Sequence, residues 1–273
     1  MFQTKGVSLL IDKNTKIHMF NVCIVVPIYK SNLNGLEKIS LSRVFEVLGR
    51  YPIYIIKPES LDLSFMQQQY HDIMFESFDD NYFRGISAYN RLMLSNDFYS
   101  RFTDYKYILI YQLDAYVFSD SLEEWCAKDY DYIGAPWLRK PIYNYPIISQ
   151  WMSICYHTKI IMGSCSKQSL YNKVGNGGLS LRKVDSHIRF LAEHKELVEY
   201  YINQKRHHLY NEDVFWATEP KDFKYPLASE AVFFAFDKYP RYCYKLTKGV
   251  LPFGCHAWYK GKMRSFWKNI INF

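Results

Sequence analysis

"YKYILIYQLDAYVF", residues 105–118, joins an aliphatic and aromatic run to a single carboxylate, Asp114, at the place where a strand should end. An apolar run of this length reads as a strand buried on both faces of a sheet. In open α/β sheets ligands bind at the carboxyl ends of such strands. Asp114 is therefore either a solvated strand end or helix cap, or one part of a ligand site, and the neighbouring stretches decide between them.

Working outwards, "NVCIVVPIY" (21–29) is β-branched and nearly continuous, a second buried strand. "LEKISLSRVFEVLGRY" (36–51) sets Leu36, Ile39, Val44, Val47 and Leu48 at broadly helical spacing and stops at Gly49, after which "PIYIIKP" reads as a strand closed by Pro58. Strand, helix and strand open a βαβ sheet. "FESFDDNYFRGISAYNRLMLSNDFYSRF" (75–102) reads as a loop into a helix that starts near Gly85 or Ile86. Beyond residue 118, Ser119 or Asp120 is placed to cap a short helix. The segment Gly134 to Lys173, with Pro136, Pro141 and Pro146, reads as long, partly irregular and suited to substrate contacts. "HIRFLAEHKELVEYYINQKR" (187–206) reads as one amphipathic helix.

The 273 residues, 49% hydrophobic, suffice for one α/β domain with a sizeable core. A net charge of +7 admits phosphate, nucleic acid or acidic lipid as partners. The cations are scattered rather than gathered on one predicted face, which argues against nucleic acid. With 25 Tyr and 19 Phe the chain is rich in rings that stack on sugars and sit at membrane interfaces as readily as they fill cores. Six cysteines without a C-x-x-C pair, and an N-terminus of mixed character, predict reduced thiols and a cytoplasmic location. No run approaches the roughly 20 apolar residues of a membrane span.

Three later stretches bear on Asp114. "VGNGGLSLRK" packs Gly175, Gly177 and Gly178 around Asn176, as a tight turn or as backbone that approaches a ligand with positive φ. "YNEDVFW" sets Glu212 and Asp213 before an apolar run, where Asn211 suits a helix cap and one acid suits a catalytic base. "FGCHAWYKGK" presents His256 among apolar residues with Lys260 and Lys262 beyond.

In this order, the strand ending in "VVPIY", the strand ending in an acid, the glycine turn, the "NED" acids and the late histidine resemble the GT-A class of nucleotide-sugar-dependent glycosyltransferases. In wording, "YILIYQLDAYVF", "YDYIGAPW", "GNGGLSLR" and "NEDVFW" resemble the bacterial domain-of-unknown-function 5672 group, over about Asn21 to Lys262.

The resemblance implies a single domain, residues 1–273, with a Rossmann-like α/β fold and a mixed central sheet. Its nucleotide half would span about 21–130 and its acceptor half about 131–262, with a basic tail at 263–273. GT-A enzymes hold Mn²⁺ or Mg²⁺ against the donor diphosphate with a D-x-D motif. The matching triplet here is Gln112, Leu113 and Asp114, so only the second acid is present. Asp114 and His256 are thus the implied metal ligands, for an ion that is weakly held or dispensable; Arg182, Lys260 or Lys262 would otherwise take the phosphate charge. "NED" matches the general base of inverting members, with Asp213 as base and Glu212 orienting acceptor or donor. Pro27, Ile28 and Tyr29 match the place that holds base and ribose, with Arg84 and Asn90 assisting. Gly177 and Gly178 would line the donor sugar, and Trp137 and Trp216 would offer stacking faces.

The implied function is transfer from a nucleotide-sugar donor to a glycan or lipid-linked acceptor in bacterial capsule, O-antigen or lipopolysaccharide synthesis. The tail residues Arg264, Phe266, Trp267 and Lys268 are compatible with peripheral contact to the inner face of a membrane. A nucleotidyltransferase would want a glycine-rich basic loop after the first strand, where only Lys30 and Gly35 occur. A non-catalytic carbohydrate-binding protein would have no use for the acids and histidine together.

Overall fold

The computed structural model describes residues 21–162, 166–204 and 208–273. The first 20 residues and Cys165 lie outside them. The nine strands are β1 (Val22–Pro27), β2 (Ile53–Pro58), β3 (Ile73–Phe78), β4 (Tyr107–Tyr111), β5 (Tyr116–Val117), β6 (Tyr132–Gly134), β7 (Leu179–Lys183), β8 (Ala235–Phe236) and β9 (Gly254–Cys255) among the described residues. The α-helices there are α1 (Gly35–Leu48), α2 (Ile86–Met93), α3 (Asn96–Ser100), α4 (Leu122–Ala127), α5 (Pro146–Ile161), α6 (Val184–Glu193), α7 (Lys195–Asn203), α8 (Glu212–Thr218), α9 (Ala228–Phe234), α10 (Pro240–Leu246) and α11 (Arg264–Trp267).

The main sheet has the order β3-β2-β1-β4-β7-β6. Strands β1 to β4 are parallel, β7 runs antiparallel to β4, and β6 antiparallel to β7, which makes the sheet mixed. Alternation along β1 explains its unbroken apolar sequence. Val22, Ile24 and Val26 pack on the side of Leu41, Val44 and Leu48 from α1. Cys23 and Val25 face the opposite layer, with Leu92 and Met93 of α2, Phe98 of α3, Phe190 of α6 and Phe215 of α8. Both faces are covered, so no position on the strand is left for a polar residue. Helix α1 begins where Asn34 and Glu37 form a reciprocal capping box, and its C-cap is Gly49.

A second sheet, β5-β9-β8, has strands of two residues each. It matters here because β5 follows Asp114 while β8 and β9 precede Asp237 and His256.

Several sequence expectations are corrected. "IMFESF" is strand β3, at the edge of the sheet, where half-buried residues weaken the apolar signal. The short helix after residue 118 has Ser121 at its N-cap, and Asp120 instead pairs with Arg50. Residues 146–161, inside the segment expected to be long and partly irregular, form a 16-residue helix with no buried residue; Ile148, Met152 and Ile160 lie outside the face of Ile147, Trp151 and Ile154, which blurs the helical period in the sequence. The expected single helix at 187–206 is two, α6 and α7, separated by His194 at φ −122°, ψ 39°. The tail's Phe266 and Trp267 are buried with Trp258 and Phe236, so these rings are core and not a membrane-facing surface. Cys23, Cys126, Cys155, Cys243 and Cys255 are free thiols.

Candidate active site

A cleft of about 530 Å³ opens at the carboxyl ends of β1 and β4. Pro27, Ile28 and Tyr29 form one wall as β1 ends, and Tyr29 is 61% exposed, an open ring face. Gln112 and Asp114 enter as β4 turns, with the Ala115 amide donating to the Gln112 carbonyl at 2.8 Å. The Gln112 amide donates to the Gly178 carbonyl, also at 2.8 Å, and this bond ties the acid-bearing turn to the glycine turn. The Gln112 side chain lies beside the Tyr89 hydroxyl, at the place the first acid of D-x-D would occupy.

The small sheet assembles the next group. Strands β8 and β9 are parallel with Phe236 opposite Cys255, so Asp237 and His256 emerge side by side. Strand β5 is antiparallel to β9 with Tyr116 opposite Cys255, which returns Asp114 to the other side of the imidazole. Asp114 Oδ1 is 3.1 Å from His256 Nε2, and Asp237 Oδ1 is 3.6 Å from Nδ1. Lys260 Nζ closes on Asp114 Oδ2. Burial works to raise the Asp114 carboxyl, but His256 and Lys260 outweigh it and hold the group well below the usual carboxylate range. Burial likewise disfavours the imidazolium, and Asp114 with Asp237 overcomes it, pushing His256 up to about 9.

The opposite wall is the N-terminus of α8. Asn211 stands at the N-cap, yet its side chain makes no cap bond; its Oδ1 accepts from Asn90 Nδ2 at 3.1 Å, while Asn90 Oδ1 accepts from the Glu212 amide at 3.4 Å. Asn90 thereby pins α2 to the turn that bears the acids. Glu212 is buried, with Arg182 Nη2 3.1 Å from Oε1 and 3.0 Å from Oε2. Asp213, the next residue, is partly exposed at the cleft and accepts from the Val214 amide at 2.9 Å. Burial, then the Glu212 charge, with Asp237 adding, pushes the Asp213 carboxyl up to about 7.

Two glycines fit between these groups because nothing larger can. A Cβ on Gly177 would stand 1.8 Å from Glu212 Oε1, and one on Gly178 2.1 Å from His256 Nε2. Neither has a positive φ; that conformation falls to Asn176 at 69°, whose Oδ1 accepts from the Gly178 amide at 3.2 Å. This corrects the expectation that the glycines supply the left-handed residue. Asn176 Nδ2 is buried with no acceptor among the described residues, and the residue lines the cleft.

Of the residues singled out from sequence, Pro27, Tyr29, Asn90, Gln112, Asp114, Gly177, Gly178, Glu212, Asp213, His256 and Lys260 all line this one cleft. Arg84 is exposed and does not, although Phe83 and Gly85 on either side of it do. Arg182 is fully buried and engaged by Glu212 and by the Tyr99 hydroxyl at 3.0 Å, so it is not free to meet a phosphate. Trp216 is fully buried, its Nε1 donating to the Met93 carbonyl at 3.3 Å, and offers no face to a sugar. Trp137 rests against Gly175 outside the cleft lining. Asp237 went unread in the sequence. Its signal was the same as that of Asp114, an acid closing an apolar run, "AVFFAFD".

For a divalent cation the donor set is incomplete. Among the described residues no three His, Cys, Asp or Glu side chains form a ligand group. Asp114 and His256 supply one oxygen and one nitrogen, Gln112 contributes no charge, and the Lys260 ammonium already contacts Asp114. These residues alone do not fit a protein-built Mn²⁺ or Mg²⁺ centre.

No curated protein sequence matches the chain. Among solved structures, an active-site variant of the galactosyltransferase LgtC aligns with a TM-score of 0.53 at 14% identity over 86% of each chain. Mouse xyloside xylosyltransferase 1 aligns at 0.51 and 12% identity, over 88% of this chain and 97% of that one. The glycosyltransferase GlyE of Streptococcus pneumoniae TIGR4 aligns at 0.53 and 11%, over 92% and 60%. At such identities the likeness establishes a shared fold, the GT-A fold. Residues 72–256 match the family model described as "Protein of unknown function (DUF5672)". With that match across more than half its length, the chain belongs to the DUF5672 family and has the GT-A fold.

Proposed function

We propose that this chain is a glycosyltransferase that moves a sugar from a nucleotide-sugar donor to a hydroxyl of a glycan or lipid-linked acceptor, with inversion at the anomeric carbon. The observation that carries this reading is one cleft, at the ends of the nucleotide-side strands, lined both by Asp213, whose carboxyl is held at about 7, and by His256 and Lys260, each paired with Asp114. A base with this affinity is poised to accept a proton at neutral pH. The printed names of two neighbours, a xyloside xylosyltransferase and the glycosyltransferase GlyE, support the same class.

In this mechanism Pro27 to Tyr29 hold the base and ribose, within a nucleotide half of about 21–130, and the acceptor enters from the half at about 131–262. Asp213 takes the acceptor hydroxyl proton as that oxygen bonds to the anomeric carbon. The bond from that carbon to the diphosphate breaks, and its electron pair leaves on the phosphate oxygen. Lys260 and protonated His256 meet this developing charge, and Asp114 orients both cations. Glu212, clamped by Arg182, keeps the Asp213 carboxyl high instead of touching acceptor. A bound Mn²⁺ or Mg²⁺ would draw on Asp114 and His256, and its requirement is weak or absent because the cations are already in place. We place this activity, for a lipid-linked acceptor, in bacterial surface polysaccharide synthesis on the cytoplasmic side.

Incubation with a panel of nucleotide sugars, with Mn²⁺ or EDTA, should give slow donor hydrolysis or thermal stabilisation by nucleoside diphosphate. Silence toward every donor and nucleotide would refute the proposal. Asp213→Asn should abolish transfer while leaving donor affinity nearly intact, and the anomeric configuration of product against donor tests inversion.

A further inference from the structure

The excursion between β6 and β7 is closed at its base by the antiparallel bridge Pro136–Val174 and by hydrogen bonds in both directions between Trp137 and the 172–173 backbone, each 2.9 Å. Helix α5 is its longest element among the described residues. Pro146 stands at the first turn, and Arg139 Nη2 ties the start of the helix down through Ser149 Oγ at 3.1 Å. Beyond that anchor no residue of the helix is buried against the described residues. Ile147, Trp151, Ile154 and Ile161, four, three and seven residues apart, fall on one face and are 83%, 65%, 60% and 85% exposed. Apolar surface this continuous marks an interaction site.

The surrounding charge selects the partner. Trp137 to Lys173 contains Arg139, Lys140, Lys159, Lys167 and Lys173 and no Asp or Glu. Lys140, Lys159 and Lys167 are exposed and make no ion pair among the described residues. A second copy docking through this face would bring like charges together across a two-fold contact. An anionic lipid surface meets both properties at once, taking the apolar face into the acyl boundary and the cations among its headgroups. Tryptophan is the ring that settles at that depth. Sixteen residues span about 24 Å at 1.5 Å each, and no helix among the described residues is long and apolar enough to cross a membrane.

We propose that α5 is a membrane-docking helix that lies in the headgroup layer of an anionic bilayer. Gly177 and Gly178 follow Val174 by three and four residues and line the cleft, so the docked helix holds the site near the lipid surface. That consequence rests on the acceptor reading above, whereas docking itself does not.

The test is sedimentation of the full chain with vesicles of phosphatidylcholine alone or with one third phosphatidylglycerol, alongside quenching of tryptophan fluorescence by brominated lipid. Trp125, Trp216, Trp258 and Trp267 are buried and Trp137 is half-buried, so Trp151 is the ring that lipid can reach. We expect binding to the anionic vesicles, quenching that Trp151→Phe removes, and at least a tenfold loss of partition in the Trp151→Glu, Ile154→Glu variant. Because both positions are exposed, that variant should keep its urea midpoint and its nucleoside diphosphate response, which separates failure of docking from failure of the transferase reading. The proposal is overturned by equal binding to neutral vesicles, by no binding, by binding the double variant retains, or by a dimer in solution that the double variant dissolves.

Discussion

Glu212→Gln tests whether the first acid of "NED" works through Arg182 or on substrate. Arg182 is wholly buried and its Nη2 meets both Glu212 oxygens at 3.0–3.1 Å. Neutralising the carboxylate leaves a guanidinium in the core without its counter-charge, for which about 3 kcal/mol is expected, the lower end for a broken buried pair because glutamine keeps one acceptor. With a urea slope of roughly 3 kcal/mol/M, the midpoint falls by about 1 M. The control is Arg182→Met combined with Glu212→Leu. The Tyr99 hydroxyl still donates to Met93 O at 3.2 Å and Ser180 Oγ to Gly177 O at 3.3 Å, so no buried polar group is orphaned and much of the stability should return. The single change also removes a charge that raises Asp213 and leaves one that lowers it, so the acid limb of the rate profile should move to lower pH. Loss of less than about 1 kcal/mol, or a double variant as unstable as the single one, would refute this account.

Asp213 should also govern stability against pH. Its native carboxyl is raised to about 7, so between about pH 4 and 7 the unfolded chain releases a proton that the native chain keeps, and the stability from this group falls as pH rises. Asp213→Asn should therefore match the wild type near pH 4 and exceed it by roughly 2–4 kcal/mol at pH 8 in urea titrations; the opposite sign would reject the raised value. Gly178→Ala should displace the imidazole 2.1 Å from its new methyl and weaken nucleoside diphosphate binding at least tenfold by calorimetry, whereas Gly35→Ala, with open space around its Cβ, should not. Trp216→Ala should cost about 3–5 kcal/mol as a core truncation, with acceptor KM unmoved; a stable variant with a raised acceptor KM would restore the sugar-stacking role.

Much of the scaffold was legible because buried strands and capped helices announce themselves locally. "VCIVVP" and "YILIY" can only be covered on both faces, and Leu36, Ile39, Val44, Val47 and Leu48 mark α1 by their spacing up to Gly49. Strand β3 was missed because an edge strand is only half covered, and α5 because Ile148, Met152 and Ile160 lie outside the face of Ile147, Trp151 and Ile154 and blur its period among three prolines.

At the site, residue identity was readable and residue partnership was not. Asp114, Glu212, Asp213 and His256 are visible as acids and a histidine placed next to apolar runs, and they do line one cleft. Sequence alone determined this: the parallel core, the strand end that offers Asp114, and the kinds of group available for chemistry. It could not say that Glu212 belongs to Arg182, that Trp216 is core, or that Asp237 stands behind His256. Those facts depend on contacts between residues 30 or more positions apart, or on two-residue strands too short to leave a period. Tertiary structure alone decided them, because burial of a charge is settled by which opposite charge the folded chain brings to it.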